Sequence, residues 1–184
     1  MAAVTQSSAA TAILVVVVAA IVVVFMIGVV AAIAIPGLLR ARMSGNEASA
    51  IGSLRAINSG QASYASSCAA GGYAVTLDDL ATPPSGSGQG FISPDLRTNG
   101  VAKSGYTVRL ARDAAAGVTD IGTAAATCNA SRRTPASSYF VSAEPVSAST
   151  GTRYFATDTR GIIFYSTSPI ANPIVESVTV VPLQ

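Results

Sequence analysis

Apolar residues run from Ile13 to Ile35 (ILVVVVAAIVVVFMIGVVAAIAI) without a single charge, and the run closes at Pro36-Gly37 with Arg40 and Arg42 just beyond. At about 1.5 Å of rise per residue, such a helix crosses a hydrocarbon core of ~30 Å. The pattern predicts a transmembrane helix over 13–35. A core helix of a soluble protein is usually shorter and keeps a polar edge, while a secretory signal has a shorter apolar region, a basic start and a small-residue cleavage site. The segment is therefore expected to be retained. Residues 1–12 form a short polar leader with no Lys or Arg.

Beyond Pro36 the periodicity changes. Met43, Glu47, Ala50, Leu54, Ile57, Gln61, Tyr64 and Cys68 follow one another at alternating steps of four and three, whereas Asn46, Ser49, Ser53, Ser59, Ser63 and Ser66 occupy other faces. This spacing predicts an amphipathic continuation of the same helix over 36–70. Pro36 removes a backbone donor and is expected to kink the helix or melt it locally. Gly71-Gly72 is expected to end it, with Cys68 in the last turn.

Residues 71–184 read as a loop-rich antiparallel β head. Gly72–Gly105 is expected to be loop, apart from a short capped helical turn at Thr76-Leu-Asp-Asp-Leu80. Four short β-branched and aromatic runs predict strands at 106–110, 139–143, 153–157 and 162–166, the last two joined by a tight turn at Asp158-Thr159-Arg160-Gly161. A long excursion over 111–138 separates the first two, and 174–181 is a candidate terminal strand whose free edge would invite a partner. The fold class is α+β.

Composition then narrows the chemistry. The 184 residues carry a net charge of +2 with 11% charged residues, and no run of Lys and Arg is long enough to track phosphates, so no nucleic acid contact is expected. With no His, neither a Ser-His-Asp triad, a Cys-His pair nor a His-containing metal site can be assembled. The GSGQG stretch follows prolines and leads to no helix, unlike a phosphate-binding loop. Asp78 and Asp79 are adjacent and do not face one another on a regular element, so they read as helix-start charges and not as an acid–base pair. No catalytic, cofactor-binding or metal-ligating residues are assigned, and no enzyme is expected. Arg132-Arg133 read as solvated, with a subunit contact as the alternative.

Cys68 and Cys128 are the only cysteines. One disulfide is the natural reading, worth roughly 4 kcal/mol in an oxidising compartment by the chain-entropy model. Two buried free thiols are the alternative. Arg40 and Arg42 taken alone place the following domain in the cytoplasm. A disulfide requires the opposite side.

The stretch AAIAIPGLLRARMSGNEASAIGSLRAINSGQASYAS (31–66), followed by GGYAVTLDDL, KSGYTVRL and TRYFATDTRGIIFY, resembles the type IV pilin and pseudopilin family over about residues 28–166. The resemblance implies a long N-terminal helix whose outer half packs on a four-stranded antiparallel sheet, with the head outside the bacterial inner membrane. It also implies partners: copies of itself or other pilins through the membrane helix, and a pilus or type II secretion assembly machinery. Gly28 matches the family's mid-helix glycine, and Pro36 and Gly37 its helix bend. Two positions depart. The family's Gly-Phe cleavage junction falls at Leu14-Val15, and its glutamate falls at Ala19. A charge buried in an apolar bundle needs its partner, and Ala19 supplies none. Two roles follow: a filament subunit assembling through its helix, in the service of adhesion, motility, DNA uptake or secretion, or an uncleaved inner-membrane anchor with a pilin-like binding head.

Overall fold

The computed structural model of the chain describes residues 4–183, with side chains described from residue 10 onward. Helix α1 spans Val4–Ser67, so the polar stretch before Ile13 is helical from Val4, while the first three leader residues lie outside the described part. The helical assignment passes through Pro36 without a break, and the expected local melting does not occur. The chain divides into two compact units, 1–41 and 42–184.

In the second unit every member of the predicted face from Glu47 to Cys68 is buried: Glu47, Ala50, Leu54, Ile57, Gln61, Tyr64 and Cys68. Steps of three and four place these side chains on one stripe, because 3.6 residues complete a turn. The helix ends where Ala70 and Gly71 take left-handed backbone angles (φ 50° and 93°), and Gly71 N–H donates back to the Ala65 carbonyl at 2.9 Å. A single left-handed residue closes many helices this way.

Helix α2 covers Leu77–Ala81. Thr76 caps it: the Thr76 hydroxyl accepts from Asp79 N–H at 3.2 Å and donates to the Asp79 carboxylate at 2.8 Å. The expected capped turn is thus present.

Six strands follow in chain order: β1 Val101–Lys103, β2 Tyr106–Arg112, β3 Tyr139–Pro145, β4 Tyr154–Asp158, β5 Ile163–Ser166 and β6 Val181–Pro182. Each pairs antiparallel with the next, giving one meander. The four predicted strands form the centre, and the sheet gains one short strand at each edge. β1 arises inside the expected loop because Ser104 and Gly105 both adopt positive φ (47° and 74°), the geometry of a two-residue hairpin turn. At the other edge, pairing begins only at Val181. Residues 174–180 instead make a turn, with Ser177 N–H on the Val180 carbonyl at 3.1 Å.

Strand residues alternate between two faces. Tyr106, Val108, Leu110, Tyr139, Val141, Ala143, Phe155 and Ile163 turn toward α1 and meet Ala50, Leu54, Ile57 and Tyr64 in the main core. Each fully buried Leu or Ile contributes about 1.5–3 kcal/mol. The opposite face carries a second, smaller cluster: Phe140, Ala156 and Phe164 lie under Ile170, with Ile174 and Val180 packed alongside. The C-terminal segment therefore covers the back of the sheet.

Candidate functional site

The first unit carries a long run of exposed apolar side chains. Leu14, Val15, Phe25, Ile33 and Leu39 are all exposed, as are Ala19, Pro36 and Gly37, and the most apolar 18-residue window of the helix has mean hydropathy 3.5 with none of it buried. This helix is long and apolar enough to cross a membrane. A Cβ added at Gly28 or Gly37 would meet no other atom, so these glycines are smooth positions on a bare helix. Arg40 and Arg42 follow, both exposed.

Within the second unit, α1 is locked to the β3–β4 loop by a carboxylate. Glu47 is 7% exposed and accepts hydrogen bonds from the Thr152 backbone N–H (3.1 Å), the Thr152 hydroxyl (3.4 Å) and Arg153 Nε (2.8 Å). Arg153 Nη2 closes the ion pair at 2.6 Å. Burial alone would push the Glu47 carboxyl upward, but these donors together with the Arg153 charge hold it below the usual carboxylate value. Arg153 also lies over the rings of Phe155 and Tyr165 at 5.4 and 5.6 Å, and its carbonyl accepts from the Tyr106 hydroxyl at 2.9 Å. Burial, followed by the nearby Glu47 charge, pushes Tyr106 up to about 12. One residue back, Asn46 Nδ2 donates to the Thr150 carbonyl at 2.9 Å.

Further along, two amides on α1 replace missing backbone partners. Gln61, with no exposure, donates to the Ala74 carbonyl at 2.7 Å and accepts from Ala74 N–H at 2.9 Å. Asn58 accepts from the Tyr139 hydroxyl at 3.0 Å and donates to Thr157 Oγ1 (3.0 Å) and the Gly161 carbonyl (3.2 Å), tying the helix to the β4–β5 turn.

The two cysteines are joined. Cys68 and Cys128 form a disulfide across a separation of 60 residues, and Cys128 N–H also donates to the Cys68 carbonyl at 3.0 Å. The staple fixes the long excursion between β2 and β3 to the end of α1. Asn129 extends it, donating to the Asp79 and Thr82 carbonyls at 2.8 and 3.0 Å. Asp79 accepts Arg132 N–H at 2.6 Å and Asp78 accepts Asn99 N–H at 3.2 Å, so the adjacent carboxylates serve separate segments. Among the described residues, no three His, Cys, Asp or Glu side chains stand together as a metal-holding group.

The structure keeps the predicted helix positions (Leu14, Val15, Ala19, Gly28, Pro36 and Gly37) on the bare segment and brings Cys68 and Cys128 together. The Glu47–Arg153 lock joins residues far apart in the chain. Its one sequence signal is a lone charge on an otherwise uncharged helical stripe.

Comparison with protein-family models, curated proteins and solved structures gave no match for this chain. In layout, one long apolar N-terminal helix followed by an antiparallel sheet is pilin-like.

Proposed function

We propose that this chain is a pilin-like structural subunit, held in a membrane by α1 and assembling with copies of itself or other pilins through that helix. One observation carries the reading: the large apolar side chains of the uncharged stretch from Ile13 to Leu39 are exposed, on a helix whose later turns carry a buried face. Exposed apolar area of this extent needs lipid or another helix around it. Alanine and glycine let helix backbones approach closely in a bilayer, so the helix can pack without a charged pair. The head would lie outside the cytoplasm, where a disulfide persists. Its host would be a type IV pilus or a secretion pseudopilus.

A second reading has its own support. Ala19 replaces the glutamate that pairs with a neighbour's amino terminus in the resembling family, and Leu14-Val15 replaces the cleavage junction. A chain with these residues would serve as an anchored, uncleaved binding head. Intact-mass spectrometry of the protein from native membranes and from sheared extracellular material separates the two. A processed chain in sheared filaments supports the subunit. Full-length chain confined to the membrane overturns it in favour of the anchored head.

A further inference from the structure

Of the ten Lys and Arg residues in 42–184, four are held in ion pairs. Lys103 meets Asp95 at 2.6 Å, Arg153 meets Glu47, Arg112 meets Asp120, and Arg160 bridges Asp158 and Glu176 at 2.8 and 2.7 Å. Among the other six, three gather on one face. Arg97, Arg132 and Arg133 are exposed there, and among the described residues their guanidinium groups have no ion pair and no hydrogen bond.

These three arginines gather beside α2. Arg97 and Arg132 line one open depression with Asp78 and Thr82, and Arg133 lines a second of about 470 Å³ with Thr76, Asn99 and Arg112. The depressions adjoin: Arg132 and Arg133 are consecutive, and Asn99 N–H reaches Asp78 from one lining to the other at 3.2 Å. Arg97 and Pro83 continue the groove toward Gly88-Gln89-Gly90. Asp78 shares the depression of Arg97 and Arg132, and Asp120 that of Arg133. Asp79 is buried and occupied by Arg132 N–H, Asp120 is held by Arg112, and Asp78 accepts Asn99 N–H.

We infer that this groove binds a carboxylate-bearing polysaccharide, a polymer of uronic acid type. A guanidinium presents a planar fork that takes a carboxylate through two parallel bonds, and three such forks along one groove suit a chain with repeating carboxylates. Thr134 and the Asn99 amide line the groove as partners for sugar hydroxyls, while the Thr76 and Thr82 hydroxyls are engaged on Asp79 and on the Asp78 carbonyl. No aromatic side chain lines these depressions, so the stacking platform of single-stranded nucleic acid binding is missing. Three free cations are also few for tracking a duplex, whose charge comes every ~1.7 Å. The inference concerns the head alone and holds for a filament subunit or an anchored monomer.

The test uses the full-length chain in nanodiscs of uncharged lipid, titrated calorimetrically with oligogalacturonate, with neutral dextran, and with duplex DNA of matched charge. Saturable binding of oligogalacturonate is expected, with none of dextran and weaker binding of DNA. Combined Arg97→Gln, Arg132→Gln and Arg133→Gln replacement should weaken the interaction by about tenfold or more. Arg55→Gln, on an exposed part of α1, should leave it unchanged. Where the triple variant melts early, Arg133→Gln alone replaces it, since the Arg133 carbonyl that accepts from Ser131 is retained. Absence of oligogalacturonate binding, tighter binding of DNA, equal loss with Arg55→Gln, or no loss with the groove variants overturns the inference.

Discussion

Replacing Gln61 by Leu tests how the helix is joined to the chain that leaves it. The substitution keeps an unbranched-to-branched side chain of similar bulk in the core but strips both partners from Ala74, whose N–H and carbonyl are bonded to Gln61 at 2.9 and 2.7 Å. Ala74 is 2% exposed, so water does not replace them. Each buried backbone group left unpaired costs about 1–3 kcal/mol, giving ~2–6 kcal/mol for the pair. Against a typical stability of about 5–15 kcal/mol this is a large fraction. For a head of roughly 140 residues, the midpoint should fall by about 10 °C. Thermal unfolding of the full-length protein followed by near-ultraviolet circular dichroism measures the loss, and hydrogen exchange at the Ala74 amide localises it. Gln61→Glu adds a directional control. Its carboxylate accepts from Ala74 N–H but cannot donate to the carbonyl, so burial should raise its folded pKa, and its stability should improve as pH falls toward the unfolded value of ~4.3. A midpoint shift under about 2 °C with unchanged Ala74 exchange would refute the reasoning.

The Glu47 carboxyl is held low in the folded head, so its contribution is complete above its unfolded value near 4.5 and is lost as pH falls through the lower folded value. Glu47→Gln is expected to cost about 1–2 kcal/mol at neutral pH, a figure reduced for the partial exposure of Arg153, and the gap from wild type should close in acid; a gap independent of pH contradicts this. A Cβ at Gly60 would sit 2.7 Å from both Ile92 Cγ2 and the Phe91 carbonyl oxygen, whereas one at Gly52 meets nothing. Gly60→Ala should therefore destabilise by about 1–2 kcal/mol despite its better helix propensity, and Gly52→Ala should stabilise by up to ~1 kcal/mol. Urea titration distinguishes the two, and equal effects would count against the packing assigned to Gly60. Cys68→Ser should lower stability by roughly 4 kcal/mol under oxidising conditions. Identical melting of oxidised and reduced wild-type protein would contradict it.

The helical stripe was legible because one period governs it throughout: each position from Glu47 to Cys68 taken at steps of four and three is buried. The four central strands were legible through their aromatic and β-branched residues, within two residues at each end. The edges were harder to read. β1 has three residues and no alternation of its own, and its clue was the pair Ser104-Gly105, short enough for a hairpin turn. Residues 174–180 look like a strand by composition, but Ile174 and Val180 pack with Phe140 and Phe164 while Val175 and Val178 point to solvent, and the ladder is not extended. Tertiary packing overrides β propensity in such a case. The Glu47 lock, the Gln61 clamp and the arginine groove join segments separated by loops, and no local pattern encodes that pairing.

The unbroken order of the meander has a consequence for how the head is made. Each strand's partner is the one just before it in the chain, so the sheet can lengthen in the same direction as synthesis, closing only short loops at most steps. The exception is the excursion between β2 and β3, and there Cys128 must return to a helix end that has been available since residue 68. Residues 169–183 arrive after the four central strands, and until they do, Phe140, Ala156 and Phe164 lack their cover. A chain cut short by some fifteen residues would therefore keep a nearly complete ladder while leaving an apolar back to its sheet, a state recognisable by quality control as unfinished.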